Sequence, residues 1–305
     1  MAVSLSPIRQ PRMATLLSGS EHRHFLTSRE NKWLKIFRAA LQGKGPQSGE
    51  PIGVEGPKMV ADALHAGLEA EALLISESGE RVAGQVLRAA GQCERGIEVD
   101  RILRTTDKLF DSVTGTETPQ GVAALFRQPT WGIEDVLRGP GEMRETTPLV
   151  AILTAVQDPG NVGTIVRSAE AFGATGVVAT RGSADPWSPK ALRASAGSAL
   201  RLPVLRAMAI PILIAQLKVA HITLYASVST HAASNRPETS LEADLTGPVA
   251  IFIGNEGSGL PAEITHSADG VISIPTRGDA ESLNAAIAAS ILLYEAARQR
   301  KLASR

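Results

Sequence analysis

The sequence lacks most of the features that mark special structural classes. Its 305 residues include one cysteine, Cys93, which excludes an intramolecular disulfide and a cysteine-based metal cluster. Aromatic residues are scarce (6 Phe, 3 Trp and 2 Tyr), so the core must consist mainly of Ala, Val, Leu and Ile. No apolar run approaches the roughly 18 residues of a membrane-spanning helix, and the first residues contain no hydrophobic signal segment. We therefore expect a cytoplasmic protein with no membrane segment.

The chain also lacks net charge, because 31 basic residues balance 31 acidic ones. The basic residues are nevertheless concentrated in residues 1–44, which contain only two acidic residues. This asymmetry indicates either a region that faces phosphate groups or a solvated basic tail and helix face. The basic residues concerned are Arg9, Arg12, Arg23, Arg29, Lys32, Lys35, Arg38 and Lys44.

Composition and periodicity divide the chain into four stretches. Residues 1–20 show no periodicity and are expected to form a mobile tail. Residues 21–128 mix short strands with helices and indicate a small α/β domain. Residues 129–147 are rich in Gly and Pro and are interpreted as a linker with one helical turn near 133–137. In residues 148–305, apolar runs alternate with Gly-bearing loops and helices, a pattern typical of a parallel sheet covered on both faces.

Secondary structure can be predicted for most of both domains. In the first, helices are expected from Thr27 or Ser28, within 54–67 and at 106–113, and strands at 72–76, 96–99 and 121–126. In the second, strands are expected at 149–156, 176–179, 202–205, 222–226, 249–253 and 271–274, with a closing helix from about Ser282 to Leu302. Ligands of parallel sheets bind beyond the carboxyl ends of the strands, so the loops there are candidate sites.

The loop after the strand at 149–156 contains Asn161 and Arg167. Asn161 is positioned to cap the following helix, and Arg167 leans back toward the helix start, so the two are predicted to share a pocket. Free N–H groups and guanidinium donors would suit an anion or a hydroxyl there. A capping Asn beside a surface Arg explains the same residues.

The loop after the strand at 249–253 reads Gly254-Asn255-Glu256-Gly257-Ser258-Gly259-Leu260-Pro261. Its three glycines permit close approach of a ligand to the main chain, and simple turn chemistry does not explain a carboxylate among them. The spacing is G-x-x-G-x-G, which differs from the dinucleotide fingerprint G-x-G-x-x-G. A nicotinamide-dependent oxidoreductase is therefore disfavoured.

The third loop, residues 275–284, opens the last predicted helix. Ser282 and Asn284 are polar groups at a helix start, where at least one is expected to be a cap. The helix that follows is Ala-rich, which allows close packing, and a helix of this kind at a chain end often packs on a partner subunit.

Together, the three loops resemble the motifs of the SpoU/TrmH family of RNA 2′-O-ribose methyltransferases, which is part of the SPOUT class. Asn161, Gly163 and Arg167 match N-x-G-x-x-x-R, residues 254–260 match G-N-E-G-x-G-L, and residues 274–284 match I-P-x-x-G-x-x-x-S-L-N. Thr276 stands where many members have Met.

The N-terminal part is similar to the family's L30e-like substrate-binding domain. Val54-Glu55-Gly56 before a helix and Thr118-Pro119-Gln120-Gly121-Val122 before a strand carry this looser resemblance. The Gly/Pro-rich segment 44–51 departs from the basic, more regular stretch that is usual in the family.

The resemblance implies an α/β protein with a small L30e-like domain followed by a SPOUT domain, whose parallel sheet ends in a trefoil knot. It implies S-adenosylmethionine as the cofactor and a homodimer formed through the C-terminal domain. The catalytic cluster it implies is Asn161, Arg167, Glu256, Ser282 and Asn284. The cofactor-binding residues it implies are Ile253, Gly254, Gly259, Ile274, Thr276 and Leu283.

The expected reaction is methyl transfer to a ribose 2′-hydroxyl of RNA. The family proposal makes Arg167 a base, whereas we favour a role in positioning the hydroxyl and phosphate and stabilising alkoxide charge, since a guanidinium resists deprotonation. Asn161 would orient Arg167, while Glu256 and Ser282 would hold the loops together.

An L30e-like domain favours ribosomal RNA over tRNA as the substrate. A tRNA 2′-O-methyltransferase and a non-catalytic RNA-binding protein are the alternatives. The six His residues are scattered along the chain, so we expect no metal site and interpret these residues, like Cys93, as structural or surface residues.

Overall fold

Two β-sheets organise the chain, one in each half. A computed structural model describes residues 25–47, 49–92, 97, 99–140, 146–229, 237–277 and 282–303. The predicted tail 1–20, the basic residues Arg9, Arg12 and Arg23, and half of the predicted strand 96–99 lie outside these residues.

The first half, here called the first unit (residues 25–126), forms a mixed sheet of five strands among its described residues. The strands are β1 (Phe25–Leu26), β2 (Ile52–Glu55), β3 (Ala70–Ser76), β4 (Ile102–Thr105) and β5 (Val122–Phe126). The helices are α1 (Lys32–Gln42), α2 (Pro57–His65), α3 (Glu80–Gln92) and α4 (Asp107–Val113). The sheet order is β1-β4-β3-β5-β2, with β5 antiparallel to β2 and β3. α1 and α4 cover one face, and α2 and α3 cover the other.

Several predictions for this unit need correction. α1 begins at Lys32, because the side chain of Asn31 accepts a hydrogen bond from the Trp33 N–H (2.9 Å), so the predicted start at Thr27 or Ser28 is wrong. The strand predicted at 96–99 is wrong where it is described, since Val99 begins a 3-10 turn and the strand is β4. β1, β2 and α3 were not predicted; α3 contains Gly84, which lowers helix propensity.

The second half, here called the second unit (residues 133–303), forms a sheet of seven strands among its described residues. The strands are β6 (Leu149–Leu153), β7 (Gly176–Thr180), β8 (Val204–Met208), β9 (Thr223–Val228), β10 (Glu238–Thr239), β11 (Val249–Ile253) and β12 (Gly270–Ser273). The helices are α5 (Ile133–Arg138), α6 (Pro159–Ala171), α7 (Pro189–Ala194), α8 (Ile210–Val219), α9 (Ala262–Ser267) and α10 (Ala285–Ala303).

The second sheet is parallel in each described pairing and has the order β10-β12-β9-β11-β6-β7-β8. β6, β7 and β11 are buried on both faces, which explains their continuous apolar sequences. The six predicted strands and the helical turn at 133–137 are confirmed, with shifts at the boundaries, and β10 is an addition. The carboxyl ends of β12, β9, β11 and β6 therefore lie along one edge.

Helix α10 ties the end of the second unit to its beginning. The Arg300 guanidinium donates to the carbonyls of Thr147 (2.7 Å), Pro148 (2.9 Å), Leu245 (3.0 Å) and Gly247 (2.6 Å). Burial among these carbonyls lowers the pKa of Arg300. The contacts hold the last helix against the start of β6.

Candidate active site

Helix α6 begins at the carboxyl edge of the sheet. Its N-cap is Asp158 and its first residue is Pro159, so the prediction that Asn161 caps the helix is wrong. Proline suits this position because it has no N–H and its φ already matches the helix. Asp158 accepts a hydrogen bond from Lys190 of α7 (2.6 Å), which is the main cause of its lowered pKa. Asn161 therefore lies within the first turn, and its side chain is available for other contacts.

Asn161 joins the three predicted loops. Its side-chain N–H donates to the carboxylate of Glu256, and its side-chain oxygen accepts from the amide of Asn284 (3.2 Å). Three of the five predicted catalytic residues thus form one hydrogen-bonded chain. Because these residues come from the starts of α6 and α10 and from the loop after β11, the chain exists only in the folded protein.

Asn284 has two roles in this arrangement. Its side-chain oxygen accepts from the backbone N–H groups of Ala286 (2.9 Å) and Ile287 (3.3 Å), so it caps α10. Its amide nitrogen is thereby free to reach Asn161. Ser282 is exposed and makes no hydrogen bond with the described residues around it.

Arg167 lies apart from this chain. It is six residues beyond Asn161, about 9 Å along the axis of an α-helix. Its side chain is exposed and forms no ion pair or hydrogen bond with the described residues. No hydrogen bond joins Asn161 and Arg167 in the described part of this chain, and the pocket that they are predicted to share stays a prediction.

Gly163 determines how α6 crosses α7. A Cβ at this position would lie 2.3 Å from the Ala191 carbonyl oxygen and 2.6 Å from the Ala194 Cβ. The glycine is thus required for helix contact rather than for the turn shape that the sequence indicated. Arg167, one turn later, lies on the same side of α6.

The glycine-rich loop is closed by Asn255, which sequence reasoning did not single out. Its side-chain oxygen accepts from the N–H groups of Gly257 (2.9 Å) and Ser258 (3.1 Å), an Asx turn. Its amide donates to the carbonyl of Ala155 (3.1 Å), in the loop after β6. An Asn at the start of a Gly-rich loop was the available signal. Asn255 fixes the conformation in which Glu256 meets Asn161.

The predicted cofactor residues lie along the same edge of the sheet. Ile253 is the buried last residue of β11, while Ile274, Thr276 and Leu283 are half-buried around the ends of β12 and α10. Gly259 is exposed and has a φ of 68°, which favours glycine. A Cβ on Gly254 would lie 2.7 Å from the carbonyl carbon of Gly259, so position 254 has no room for a side chain.

Two buried hydroxyls at this edge test the fit to S-adenosylmethionine. The side-chain oxygens of Thr154 and Ser273 are buried and have no hydrogen-bond partner among the described residues. Thr154 directly follows β6, and Ser273 is the last residue of β12. Unpaired buried hydroxyls are rare and suit the polar groups of a bound ligand. With the apolar side chains of Ile274 and Leu283, they fit a nucleoside cofactor.

The two N-terminal motifs also meet in space. The hydroxyl of Thr116 donates to both carboxylate oxygens of Glu55 (2.9 and 3.0 Å), and the Gly56 N–H donates to the Val122 carbonyl (2.8 Å). Burial raises the pKa of Glu55, although Thr116, the Gln120 N–H and the charge of Arg193 in α7 oppose the shift. The motifs thus face the second unit.

Within the described residues, no three His, Cys, Asp or Glu side chains come together in a way that could hold a metal ion. Their helices also include none that is long and apolar enough to cross a membrane.

Comparison with protein families gives two matches. Residues 148–294 match the SpoU rRNA Methylase family, and residues 44–124 match the MRM3-like substrate binding domain. The first match contains the three loops joined by Asn161. The second contains Glu55 and Thr116.

Individual proteins are similar over nearly the whole chain. The 23S rRNA (guanosine(2553)-2′-O)-methyltransferase RlmP of Bacillus subtilis is 33% identical over 88% of this chain and 97% of its own length. The crystal structure of an rRNA methyltransferase from Sinorhizobium meliloti aligns with a TM-score of 0.73 at 32% identity, covering 90% of this chain and 97% of that one. The SpoU methyltransferase AviRb from Streptomyces viridochromogenes in complex with AdoMet aligns with a TM-score of 0.74 at 27% identity, covering 89% and 99%.

Proposed function

The chain belongs to the SpoU rRNA Methylase family and is an S-adenosylmethionine-dependent RNA 2′-O-ribose methyltransferase, and we propose that it acts on ribosomal RNA. The hydrogen-bonded chain Glu256–Asn161–Asn284 carries the assignment of the methyltransferase site, because it joins the three motif loops at one edge of the sheet. The name of the Bacillus subtilis relative supports ribosomal RNA as the substrate. A tRNA substrate and a non-catalytic role are not favoured.

The roles of the site residues follow from their contacts. S-adenosylmethionine, when bound, supplies an activated methyl group, so the protein mainly aligns the reactants and excludes water. We assign cofactor binding to Ile253, Gly254, Gly259, Ile274, Thr276 and Leu283. Glu256, Asn161 and Asn284 hold the cofactor loops at their required separation. Ser282 completes the third loop.

Arg167 is proposed to act on the RNA rather than on the loops. Its exposed guanidinium can hold a phosphate and the 2′-hydroxyl and stabilise the alkoxide as the proton leaves. Arg167 has no hydrogen-bond or ion-pair partner among the described residues of its own chain. This observation supports the proposal that Arg167 of one subunit acts in the active site of a second subunit. This arrangement accords with the homodimer that the family resemblance implies.

Helix α10 supports the proposed homodimer. Ile287, Ile291 and Tyr294 are exposed apolar side chains at helical spacing, 54%, 37% and 54% accessible, respectively. The helix lies against α6, with Ser290 and Ser168 hydrogen-bonded (2.7 Å). A second copy seated on this stripe would cover the apolar side chains and approach Arg167.

We propose the domain division 1–20, 21–128, 129–147 and 148–305 as tail, RNA-binding domain, linker and methyltransferase domain. Exposed Arg29, Lys32 and Lys44 support phosphate contact by the second of these, whereas Lys35 pairs with Glu30 (2.5 Å). The trefoil knot, the cytoplasmic location and the absence of a metal stay predictions.

Calorimetric titration with S-adenosylmethionine tests the site first. Wild type should bind, Leu283→Arg should not, and Glu256→Ala should bind more weakly. Mapping of 2′-O-methyl groups on ribosomal RNA and tRNA incubated with the enzyme then tests the substrate. Methylation of tRNA alone would contradict the ribosomal proposal, and cofactor binding unaffected by Leu283→Arg would contradict the site.

A further inference from the structure

The Gly/Pro-rich segment 44–51, between α1 and β2, docks on the second unit. The carbonyl of Pro46 accepts from the Arg206 guanidinium (2.6 Å). The carbonyls of Gln47 and Glu50 both accept from the side-chain amide of Gln128 (2.7 Å each). Three carbonyls of this segment therefore accept hydrogen bonds from side chains elsewhere in the fold.

Arg206, in β8, is the centre of these contacts. Besides Pro46, its guanidinium binds the carboxylate of Asp185 in the β7–α7 loop and the side-chain oxygen of Gln128 (2.9 Å). One planar fork thus contacts the first unit, the stretch after β5 and the second unit. We call Arg206, Asp185, Gln128 and segment 44–51 the Arg206 cluster.

The backbone of segment 44–51 is adapted to this docking. Gly45 has a φ of 128°, a conformation that L side chains rarely adopt. A Cβ there would also lie 2.7 Å from the Asp185 carboxylate. A glycine is therefore needed where the segment passes Asp185, and the buried Pro46 then presents its carbonyl to Arg206.

A second arginine holds the units together elsewhere. Arg201, after the 3-10 turn at 198–200, forms two hydrogen bonds with Glu170 of α6 (2.6 and 2.7 Å). It also lies 4.0 Å from Asp62 of α2, in the first unit. Contacts at two separate places resist both translation and rotation of one unit on the other.

We propose that Arg206 is a positioning residue for methyl transfer, which fixes the RNA-binding unit relative to the cofactor site. The proposal rests on the proposed function of the two units. Units joined in one chain generally move relative to each other unless their interface prevents it. The Arg206 cluster prevents this movement, because one guanidinium binds three acceptors at once. The carbonyls of segment 44–51 thus serve orientation, while the exposed Lys44 at its start remains available for phosphate contact.

The kinetic consequence is specific. If the cluster is broken, only a fraction of molecules hold the orientation that presents RNA to the methyl donor, and the apparent affinity for RNA falls by that fraction. Arg206→Ala and Gln128→Ala should therefore raise KM for a ribosomal RNA fragment about tenfold, with kcat within about twofold. The Kd for S-adenosylmethionine should not change, because its site lies within the second unit.

Gln128→Ala and two further variants separate positioning from folding. Arg206→Lys keeps the charge but loses the fork, so its KM should lie between those of wild type and Arg206→Ala. Gln128→Ala leaves the Arg206–Asp185 pair intact and so avoids an unpaired carboxylate. Arg127→Ala is the matched control, since Arg127 pairs with Glu69 within the first unit (2.9 Å) and should leave KM unchanged.

Distances between the units provide a readout that does not depend on methylation. Spin labels at Lys108→Cys in α4 and Lys218→Cys in α8, both exposed, are introduced with Cys93→Ser. The distance distribution should be narrow in the otherwise unchanged protein and broad with Arg206→Ala or Gln128→Ala.

Unchanged distance distributions in Arg206→Ala and Gln128→Ala would overturn the proposal that the Arg206 cluster fixes the two units relative to each other. Broader distributions with an unchanged KM would overturn its positioning role in methyl transfer. A wild-type protein that binds S-adenosylmethionine but does not methylate ribosomal RNA would instead contradict the proposed substrate. The measured distances would still show whether the Arg206 cluster fixes the two units relative to each other.

Discussion

Asn161 donates its side-chain amide to the carboxylate of Glu256, a residue 95 positions later in the chain. The bond crosses from the first turn of α6 to the loop after β11. It fixes the two loops relative to each other before any ligand binds. The site therefore requires a hydrogen-bond donor at position 161 and an acceptor at position 256.

Asn161→Asp should disrupt the site, because two carboxylates then face each other. Like charges in contact repel and raise the pKa of one of the pair. We expect kcat at about pH 8 to fall at least tenfold and to recover partly near pH 6, where the pair can share a proton. Methylation rates across this pH range provide the measurement.

A reversed pair is the control for that variant. In Asn161→Asp with Glu256→Gln, the new Gln amide can donate to the new Asp carboxylate. Recovery of cofactor affinity by this double variant is expected, and affinity no better than that of the single variant would contradict the pairing.

Arg167→Ala should reduce kcat by about 100-fold, the order found when one charge-stabilising donor is removed. Arg167→Lys should recover little, since a point charge does not replace the guanidinium fork. The pH–rate profiles of both variants are the measurement. Substantial activity in Arg167→Lys, with an apparent pKa shifted down, would favour the base role over the electrostatic one.

Mixing two impaired variants tests whether Arg167 acts across subunits. A heterodimer of Arg167→Ala and Glu256→Ala contains one site with both native residues if Arg167 serves the partner. Random exchange then restores about a quarter of wild-type activity. No recovery, although mass spectrometry shows that heterodimers form, would place Arg167 in the site of its own chain.

Gly163→Ala should lower the free energy of unfolding by about 1–3 kcal/mol, because its Cβ would overlap the backbone of α7. Gly84→Ala is the matched control in α3, where the nearest atom lies 3.6 Å away and the change should stabilise by about 0.5–1 kcal/mol. Denaturant unfolding of both variants is the measurement. Equal stability of the two would contradict the close helix crossing.

Glu55→Gln should stabilise the protein at neutral pH. Burial raises the folded-state pKa of Glu55, so its favourable contribution is present below the unfolded value of 4.5 and is lost as pH rises through the folded value. The Tm difference between Glu55→Gln and wild type should grow from about pH 4 to about pH 8. Glu117→Gln, exposed in the loop between α4 and β5 and next to Thr116, removes the same charge and should show no such growth. A flat difference for Glu55→Gln would contradict the role of burial.

The sequence predicted the catalytic half better than the first unit for a physical reason. Buried parallel strands are apolar runs bounded by Gly-bearing loops, so β6, β7 and β11 could be recognised. β1 has only two residues, and Asn31 rather than Thr27 or Ser28 ends the turn before α1. Short edge strands and caps depend on neighbours that are distant in sequence.

The site shows the same limit. The three motif loops identified Asn161, Glu256 and Asn284, but spacing alone suggested that Asn161 contacts Arg167 in the same helix. The preference of Asn161 for Glu256 arises from the strand order, which brings β11 next to β6. Asn255 was missed, although it lies in the second motif, because its partners are backbone groups. Arg206 was missed because its partners Pro46, Asp185 and Gln128 lie in segments that no motif marks.

The contacts of Arg300 determine when the second unit can be completed during synthesis. Arg300 binds the carbonyl of Thr147, 153 residues earlier. The contacts at the start of β6 therefore cannot form until α10 has been synthesised. At the usual rate of translation, that interval is about 8–30 s. Throughout it, the surface of α6 that α10 later covers is open to solvent. We expect chaperones to bind the apolar surface that a nascent chain exposes in this interval.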